Sequence, residues 1–309
     1  MIYCTLLNPA IDLIYSTERF SAGCTLLDVP LRVVPAGKGL NVAAVVRALG
    51  EEVTVIGIMP DESRHRFVSW LDEKKVQHRF LSVPGDVRMN VTLLDSESAP
   101  GAHISSKGPV LNRGVEDAFL KFILSHFAEG DQWCFSGSIP PNINSNFYAR
   151  LISMCRGAGG ETFLDTRGKP LLLGIGAGPL VLKPNSSELE EIYGEQVQGV
   201  HHIALKGKKL LDRGVSHVFI TLGSDGMIAL HDNDCLLCVP PQVKSVDTAG
   251  CGDAFLAGVL VAWKRRFSFP ETCRLAVACG TAKAMHEGPH ALTRNEVWQL
   301  MEDVKITAV

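Results

Sequence analysis

The sequence predicts an α/β fold: a mostly parallel, doubly wound sheet covered by helices, with a small β-sheet set apart from it. Two observations carry this. Short apolar runs alternate with helical patterns along most of the chain, the rhythm of βαβ units. Residues 13–35 and 86–107 break that rhythm with alternating apolar and polar residues and few helix formers, as extra strands would.

In chain order, IYCTLL at 2–7 is the first strand. The Gly-rich turn Pro35 to Gly39 leads into a helix over Leu40 to Leu49. VTVIGI at 53–58 is a strand, and Glu62 to Lys74 a helix. VRMNVTLLD at 87–95 alternates and contains β-branched residues, so it belongs to the second sheet. QWCFSG, a helix near 145–156, ETFLD and PLVLK at 179–183 continue the rhythm. A helix near 199–213 and HVFITLG at 217–223 follow. The core is therefore 1–12, 36–85 and 108–309; the appendage, 13–35 and 86–107, is placed to serve as a lid, a dimer interface or both. The glycine-dense stretch Gly174 to Gly178 reads as a loop, because it precedes a strand instead of opening a helix. Ligands of such sheets bind beyond the carboxyl ends of the strands. That puts Asn8 to Asp12, Ser136 to Ser138, Asp165, Lys183 to Glu188 and Thr221 to Gly223 along one edge.

Composition narrows the function. Apolar residues are 46% and charged residues 20%, which excludes disorder, collagen and coiled coil. The net charge of −3 argues against nucleic acid or an anionic membrane as partner. A chain of 309 residues buries enough surface to need no disulfide or metal staple. Nine cysteines is an odd number, and most lie in apolar runs, as Cys134, Cys155 and Cys279 do. They read as free thiols of a reducing cytosol. Cys235-Leu-Leu-Cys238 has no second pair and reads as an apolar strand instead of a zinc site. The first twenty residues show no basic segment before an apolar core, and no stretch reaches the roughly 18 apolar residues of a membrane span. The expected location is the cytoplasm.

The stretch Val246 to Gly258 holds the most chemistry. Small residues up to Gly252 precede an apolar helix, Ala254 to Trp263. Backbone N–H groups can converge there, and the helix N-terminus adds partial positive charge, which makes an anion hole for a transferring phosphoryl group. No G-K-[ST] follows, so it is not a Walker A loop. Asp253 at the helix start is placed as a general base for a substrate hydroxyl; the same position also suits a plain helix cap.

DTAGCGDAF at 247–255 resembles the C-terminal signature of the ribokinase-like (PfkB) carbohydrate kinases, commonly D-T-x-G-A-G-D. Ala36-Gly37-Lys38-Gly39-Leu40-Asn41 resembles that family's Gly-Gly-Lys-Gly-x-Asn turn. Further matches are TLLNPAID (5–12), VRMN (87–90), SGSIPP (136–141), LDTRG (164–168), LKPNSSEL (182–189) and TLGSDG (221–226). The pattern is most similar to the phosphosugar branch: 1-phosphofructokinases, tagatose-6-phosphate kinases and minor 6-phosphofructokinases.

The resemblance implies a role for each matching residue. Asp253 deprotonates the acceptor hydroxyl, and Gly250, Cys251 and Gly252 form the anion hole. ATP meets Lys183, Asn185, Thr221, Gly223, Gly226 and Thr248. Asn185 and Glu188 hold Mg²⁺ largely through water, and their spacing also suits a capping box. Asp12, Gly37, Lys38, Asn41, Arg88, Asn90 and Ser138 bind the sugar phosphate. Asp247 and Thr248 match a pair that in several relatives lies near a monovalent cation, so K⁺ joins ATP and Mg²⁺ as an expected cofactor. A homodimer through the lid is also implied. Ala36, Cys251 and Arg167 depart from the family pattern. The implied activity is ATP-dependent phosphorylation of a ketohexose phosphate, foremost fructose 1-phosphate to fructose 1,6-bisphosphate. Tagatose 6-phosphate and fructose 6-phosphate are alternatives within the family. A sensor that binds the same ligands without turnover is the alternative of another class; Asp253, Lys183 and Glu188 together argue against it. A dinucleotide oxidoreductase would need G-x-G-x-x-G after the first strand, where Asn8-Pro9-Ala10 stands.

Overall fold

The structure, a computed structural model, describes residues 1–18, 20–21, 23–95 and 102–309. The chain opens with β1 (Ile2–Leu6), β2 (Ala10–Thr17), β3 (Leu31–Ala36) and α1 (Lys38–Ala48). Next come β4 (Val53–Pro60), α2 (Arg64–Glu73), β5 (Gln77–Val83), β6 (Arg88–Asp95) and β7 (Ala102–Ser105). Then follow α3 (Val115–Leu124), β8 (Gln132–Ser136), α4 (Phe147–Gly157), β9 (Glu161–Asp165) and α5 (Gly168–Gly176). The second half continues with β10 (Val181–Leu182), α6 (Ser186–Tyr193), α7 (Val200–Leu211), β11 (His217–Thr221), β12 (Met227–His231) and β13 (Asp234–Val239). It closes with α8 (Cys251–Lys264), α9 (Phe269–Ala284), α10 (Arg294–Asp303) and β14 (Lys305–Ala308).

Among the described residues the main sheet has ten strands, in the order β5-β4-β1-β8-β9-β10-β11-β12-β13-β14. The run from β5 to β11 is parallel, and β12, β13 and β14 join antiparallel. Strand order departs from β1 in both directions, so the crevice between β1 and β8 is the topological switch point where such sheets bind ligands. Both faces are covered. Ile2, Cys4 and Leu6 of β1 pack with α1, α2, α8, α9 and α10, while Ile56 and Ile58 of β4 pack with α3 to α7. α8 is buried from Asp253 to Ala262, which explains its unbroken apolar run.

A second sheet has the order β3-β2-β6-β7, with β2 and β6 parallel. It begins at Ala10, so Asp12 belongs to it and not to the core strands. The parts of the expected lid at 96–101 and at residues 19 and 22 lie outside the described residues.

Three local expectations are corrected. The strand expected at 179–183 is only Val181–Leu182, because Pro179 and Pro184 bracket it and neither can donate to a ladder. HVFITLG leaves the sheet at Thr221, and Gly223–Asp225 form a 3₁₀ turn. Gly174 and Gly176 lie in the last turn of α5 instead of a loop. A Cβ at Gly174 would meet Leu164 Cδ2 at 2.6 Å, so this glycine serves close packing of α5 on β9. Cys235 and Cys238 lie buried on β13, the strand expected there.

Candidate active site

The strand ends and two helix starts converge on the switch point. Asn8 follows β1, Ser136 to Ser138 end β8, Asp165 ends β9, Lys183 follows β10 and Thr221 ends β11. α1 begins at Lys38 against β1, so close that a Cβ at Gly39 would lie 2.1 Å from the Thr5 carbonyl oxygen. This is the physical requirement behind the Gly-rich turn.

Asp165 is the electrostatic centre. It is 1% exposed, and its Oδ1 lies 3.0 Å from Lys38 Nζ and 3.3 Å from Lys183 Nζ. Burial alone would raise this carboxyl, but the two ammonium groups hold it below the usual carboxylate range. Its Oδ2 is buried without a hydrogen-bond partner. Lys38 is held above the ordinary lysine value: burial works against its charge, and Asp165, Asp253 and Glu188 outweigh it. Its side chain is still 37% exposed.

Asp253 sits in the first turn of α8 and is 7% exposed. Asn41 Nδ2 donates to its Oδ2 at 2.8 Å, linking α1 to α8 across the length of the chain. Burial pushes the Asp253 carboxyl up to about 6; Lys38, the Asn41 hydrogen bond and Lys183 limit the rise, and Asp165 adds to it. A base poised there is deprotonated at neutral pH and still basic enough to accept a proton. The turn before it requires glycine. Gly250 has φ +83°, and a Cβ on it would lie 2.0 Å from the Pro289 carbonyl oxygen. A Cβ on Gly252 would lie 3.6 Å from Lys183 Nζ, so that ammonium stands directly over the helix start.

Two cavities open beside this centre. The first, about 370 Å³, is lined by Asp12, Gly37, Lys38, Asn41, Arg88, Asn90, Ser138, Arg167 and Glu188. The β2–β6 register pairs Asp12 with Asn90 and Ala10 with Arg88, so period-two alternation turns these polar side chains to one face. Asn90 Nδ2 donates to Asp12 Oδ1 at 2.7 Å, and Ser105 Oγ donates to Asn90 Oδ1 at 3.0 Å. Arg88 donates to the carbonyls of Asn8 at 3.3 Å and Ser106 at 3.0 Å. Asn8 Nδ2 donates to Ser138 Oγ at 3.1 Å. Lys38, Arg88 and Arg167 give this cavity three cations against Asp12 and Glu188.

The second cavity, about 880 Å³, is lined by Thr221, Gly223, Gly226, Thr248, Cys251 and Gly252, with apolar walls from Phe255, Val277 and Ala284. Gly250, Lys183 and Asp253 stand between the cavities and line neither. Asn185 also lines neither: its side-chain oxygen accepts from Glu188 N at 2.8 Å, and Glu188 Oε2 accepts from Asn185 N at 2.9 Å, a complete capping box. Burial raises the Cys251 thiol, which keeps it protonated and unreactive as a nucleophile.

Asp165 lies on the expected site edge but has no role in any sequence motif, because its two lysine partners come from α1 and from the segment after β10, which no local motif joins. Asn8 and Ser105 were likewise unassigned. Among the described residues no three His, Cys, Asp or Glu side chains gather into a metal cluster. The carboxylate of Glu188, which lines the first cavity with that of Asp12, fits a largely hydrated Mg²⁺, which is usually held by one or two carboxylates, substrate phosphates and water.

A nucleotide-sized cavity and a cationic cavity, with a buried carboxylate between them, are the parts of a phosphoryl-transfer enzyme. The profile described as pfkB family carbohydrate kinase matches residues 5–295, and the chain belongs to that family. The 1-phosphofructokinase of Bacillus subtilis (strain 168) is 30% identical over 307 residues, which covers 99% of this chain and 99% of that protein. Escherichia coli phosphofructokinase-2 shares the fold. Its complex with fructose-6-phosphate aligns with a TM-score of 0.90 at 22% identity, and its complex with potassium with 0.91 at 22%, each covering 98% of both chains.

Proposed function

We propose that the protein transfers the γ-phosphoryl group of ATP to a ketohexose phosphate, foremost to the C6 hydroxyl of fructose 1-phosphate, giving fructose 1,6-bisphosphate. The observation that carries this is Asp253: a buried carboxyl raised to about 6, fixed by Asn41, between the cationic cavity and the apolar-walled one. The name of the Bacillus subtilis relative supports the choice of acceptor.

The acceptor lies in the first cavity, its existing phosphate met by Lys38 and Arg88, with Arg167 adding charge. Asp12 and Asn90 take sugar hydroxyls. ATP lies in the second cavity, against Thr221, Gly223, Gly226 and Thr248. Asp253 accepts the hydroxyl proton as that oxygen bonds to the γ-phosphorus, and the bond from phosphorus to the β–γ bridging oxygen breaks. ADP leaves, and the charge on the transferring group is met by the N–H groups of Gly250 and Gly252 and by Lys183; the Cys251 N–H of the expected anion hole donates to the Thr248 carbonyl at 3.2 Å. A divalent ion at Glu188, when bound, neutralises nucleotide phosphate charge.

The small sheet serves as a lid that excludes water. Its inner face carries Asp12, Arg88, Asn90 and Ser105; its outer face carries Leu31, Val33, Met89 and Ile104, all exposed. An apolar sheet face of this kind supports a homodimer through the lids. Among the described residues no helix is long and apolar enough to cross a membrane, and nine free cysteines support a cytoplasmic location.

The test is ADP release with Mg·ATP over fructose 1-phosphate, fructose 6-phosphate, tagatose 6-phosphate, fructose and ribose. The highest kcat/KM is expected for fructose 1-phosphate. A folded, ATP-binding protein that turns over none of the phosphoketoses overturns the reading.

A further inference from the structure

The turn that opens α8 is held from behind by a lysine that lines neither cavity. Lys283 lies in the last turn of α9, and its side chain is fully buried, at 0% exposure. Its ammonium donates to the Asp247 carbonyl at 2.7 Å and to the His286 carbonyl at 3.0 Å, and lies 3.5 Å from Asp247 Oδ2. The ammonium thus makes two hydrogen bonds to carbonyls and one ion pair with a carboxylate. A buried ammonium is tolerated only when paired and hydrogen-bonded in this way.

The oxygens Lys283 holds are tied to the catalytic turn. Asp247 Oδ1 accepts from Ala249 N at 2.9 Å, and Asp247 Oδ2 accepts from Gly288 N at 3.0 Å. Val246 N and Asp247 N both donate to the Ala284 carbonyl, at 2.7 and 3.3 Å. Pro289 presses against Gly250 so closely that only glycine fits. The ammonium therefore clamps the loop after α9 to the turn whose N–H groups face the transferring phosphoryl.

Carbonyl and carboxylate oxygens drawn from two loops are also what a hard monovalent cation takes, and an ammonium matches potassium in charge and nearly in radius. Asp247 therefore does not fit the K⁺ ion expected beside it, because its carbonyl and carboxylate already face a fixed positive charge. We propose that Lys283 is a positioning residue whose ammonium stands, covalently attached, where a monovalent cation was expected, so that catalysis by this chain is independent of such cations.

The test compares the wild-type protein with Lys283→Ala and Lys283→Met at constant ionic strength. Tetramethylammonium, Li⁺, K⁺ or NH₄⁺ is the only monovalent cation, and both rate and melting temperature are read. Wild-type rate and melting temperature are expected to be the same in all four. Lys283→Ala keeps the Asp247 and His286 oxygens and opens room for one such ion among them: in tetramethylammonium its kcat should fall ~10–100-fold, as for a small misplacement of a catalytic turn. K⁺ or NH₄⁺, and not Li⁺, should restore both its rate and its melting temperature. Lys283→Met fills that room with an apolar chain and should not be rescued. Activation of the wild type by K⁺ over tetramethylammonium overturns the proposal, and so does a folded Lys283→Ala that responds equally to all four cations. If Lys283→Ala does not fold, the wild-type comparison still decides. The melting arm contains no sugar, so its failure is separate from any failure of the proposed acceptor.

Discussion

Replacing Asn41 with alanine removes the one side-chain hydrogen bond that Asp253 Oδ2 receives among the described residues, at 2.8 Å, and leaves the burial of the carboxyl in place. That bond favours the charged form, as Lys38 and Lys183 do, against a burial that has pushed the group up to about 6. A hydrogen bond to a charged group contributes ~1.5–3 kcal/mol, and one pH unit of proton affinity is about 1.4 kcal/mol. The carboxyl should therefore become harder to ionise by ~1–2 pH units. The sign is fixed by the chemistry, because only the deprotonated form accepts the acceptor's proton. In a profile of kcat/KM against pH, the wild type should lose activity below about 6, with that limb moved upward in Asn41→Ala. The variant should be weakest relative to wild type at acid pH and recover as pH rises past the new limb. An acid limb that stays in place while activity drops uniformly would refute the link between Asn41 and the ionisation of Asp253.

Three further outcomes are expected. The Asp253 carboxyl rises from 3.8 to about 6 on folding, so the folded state binds its proton more tightly than the unfolded state does; the stability this group contributes is fully present below about 3.8 and is lost as pH rises to about 6. Asp253→Asn escapes that loss and should be more stable at pH 7 by up to ~3 kcal/mol in urea unfolding, a gain absent at pH 4; equal stability at pH 7 would refute it. Asp165→Asn strands the buried Lys183 ammonium and should lose ~3–5 kcal/mol in the same assay, and a loss under ~1 kcal/mol would contradict the pairing. Val33→Glu combined with Ile104→Lys places charges on the apolar outer face of the small sheet and should turn the proposed homodimer into a monomer in sedimentation velocity, with an unchanged dimer mass counting against that interface.

The fold was legible where period and punctuation agreed. β4 reads as VTVIGI between a helix and a polar turn, and it is buried on both faces, so every residue of the run but Thr54 is apolar, and Thr54 Oγ1 donates to Gln77 Oε1 at 3.4 Å. The strands of the small sheet announced themselves by alternation, and the β2–β6 register turns that alternation into one polar and one apolar face. Gly174 misled because glycine density signals a loop, whereas here the missing side chain lets α5 sit on Leu164. The site was legible at the turns, where Gly39 and Gly250 have no room for a Cβ. Pairings between distant segments were not: nothing in LDTRG shows that two lysines will meet Asp165. Lys283 was silent for a related reason. A lysine in a last helical turn ordinarily faces solvent, and only the approach of the Asp247 loop turns it into an internal cation.

The central claim is that Asp253 removes the acceptor's proton. Its most direct test is Asp253→Asn in ADP release with fructose 1-phosphate, alongside ATP binding measured by calorimetry. A loss on the order of 10²–10⁴-fold in kcat is expected, with ATP affinity retained. Turnover within tenfold of the wild type would contradict it.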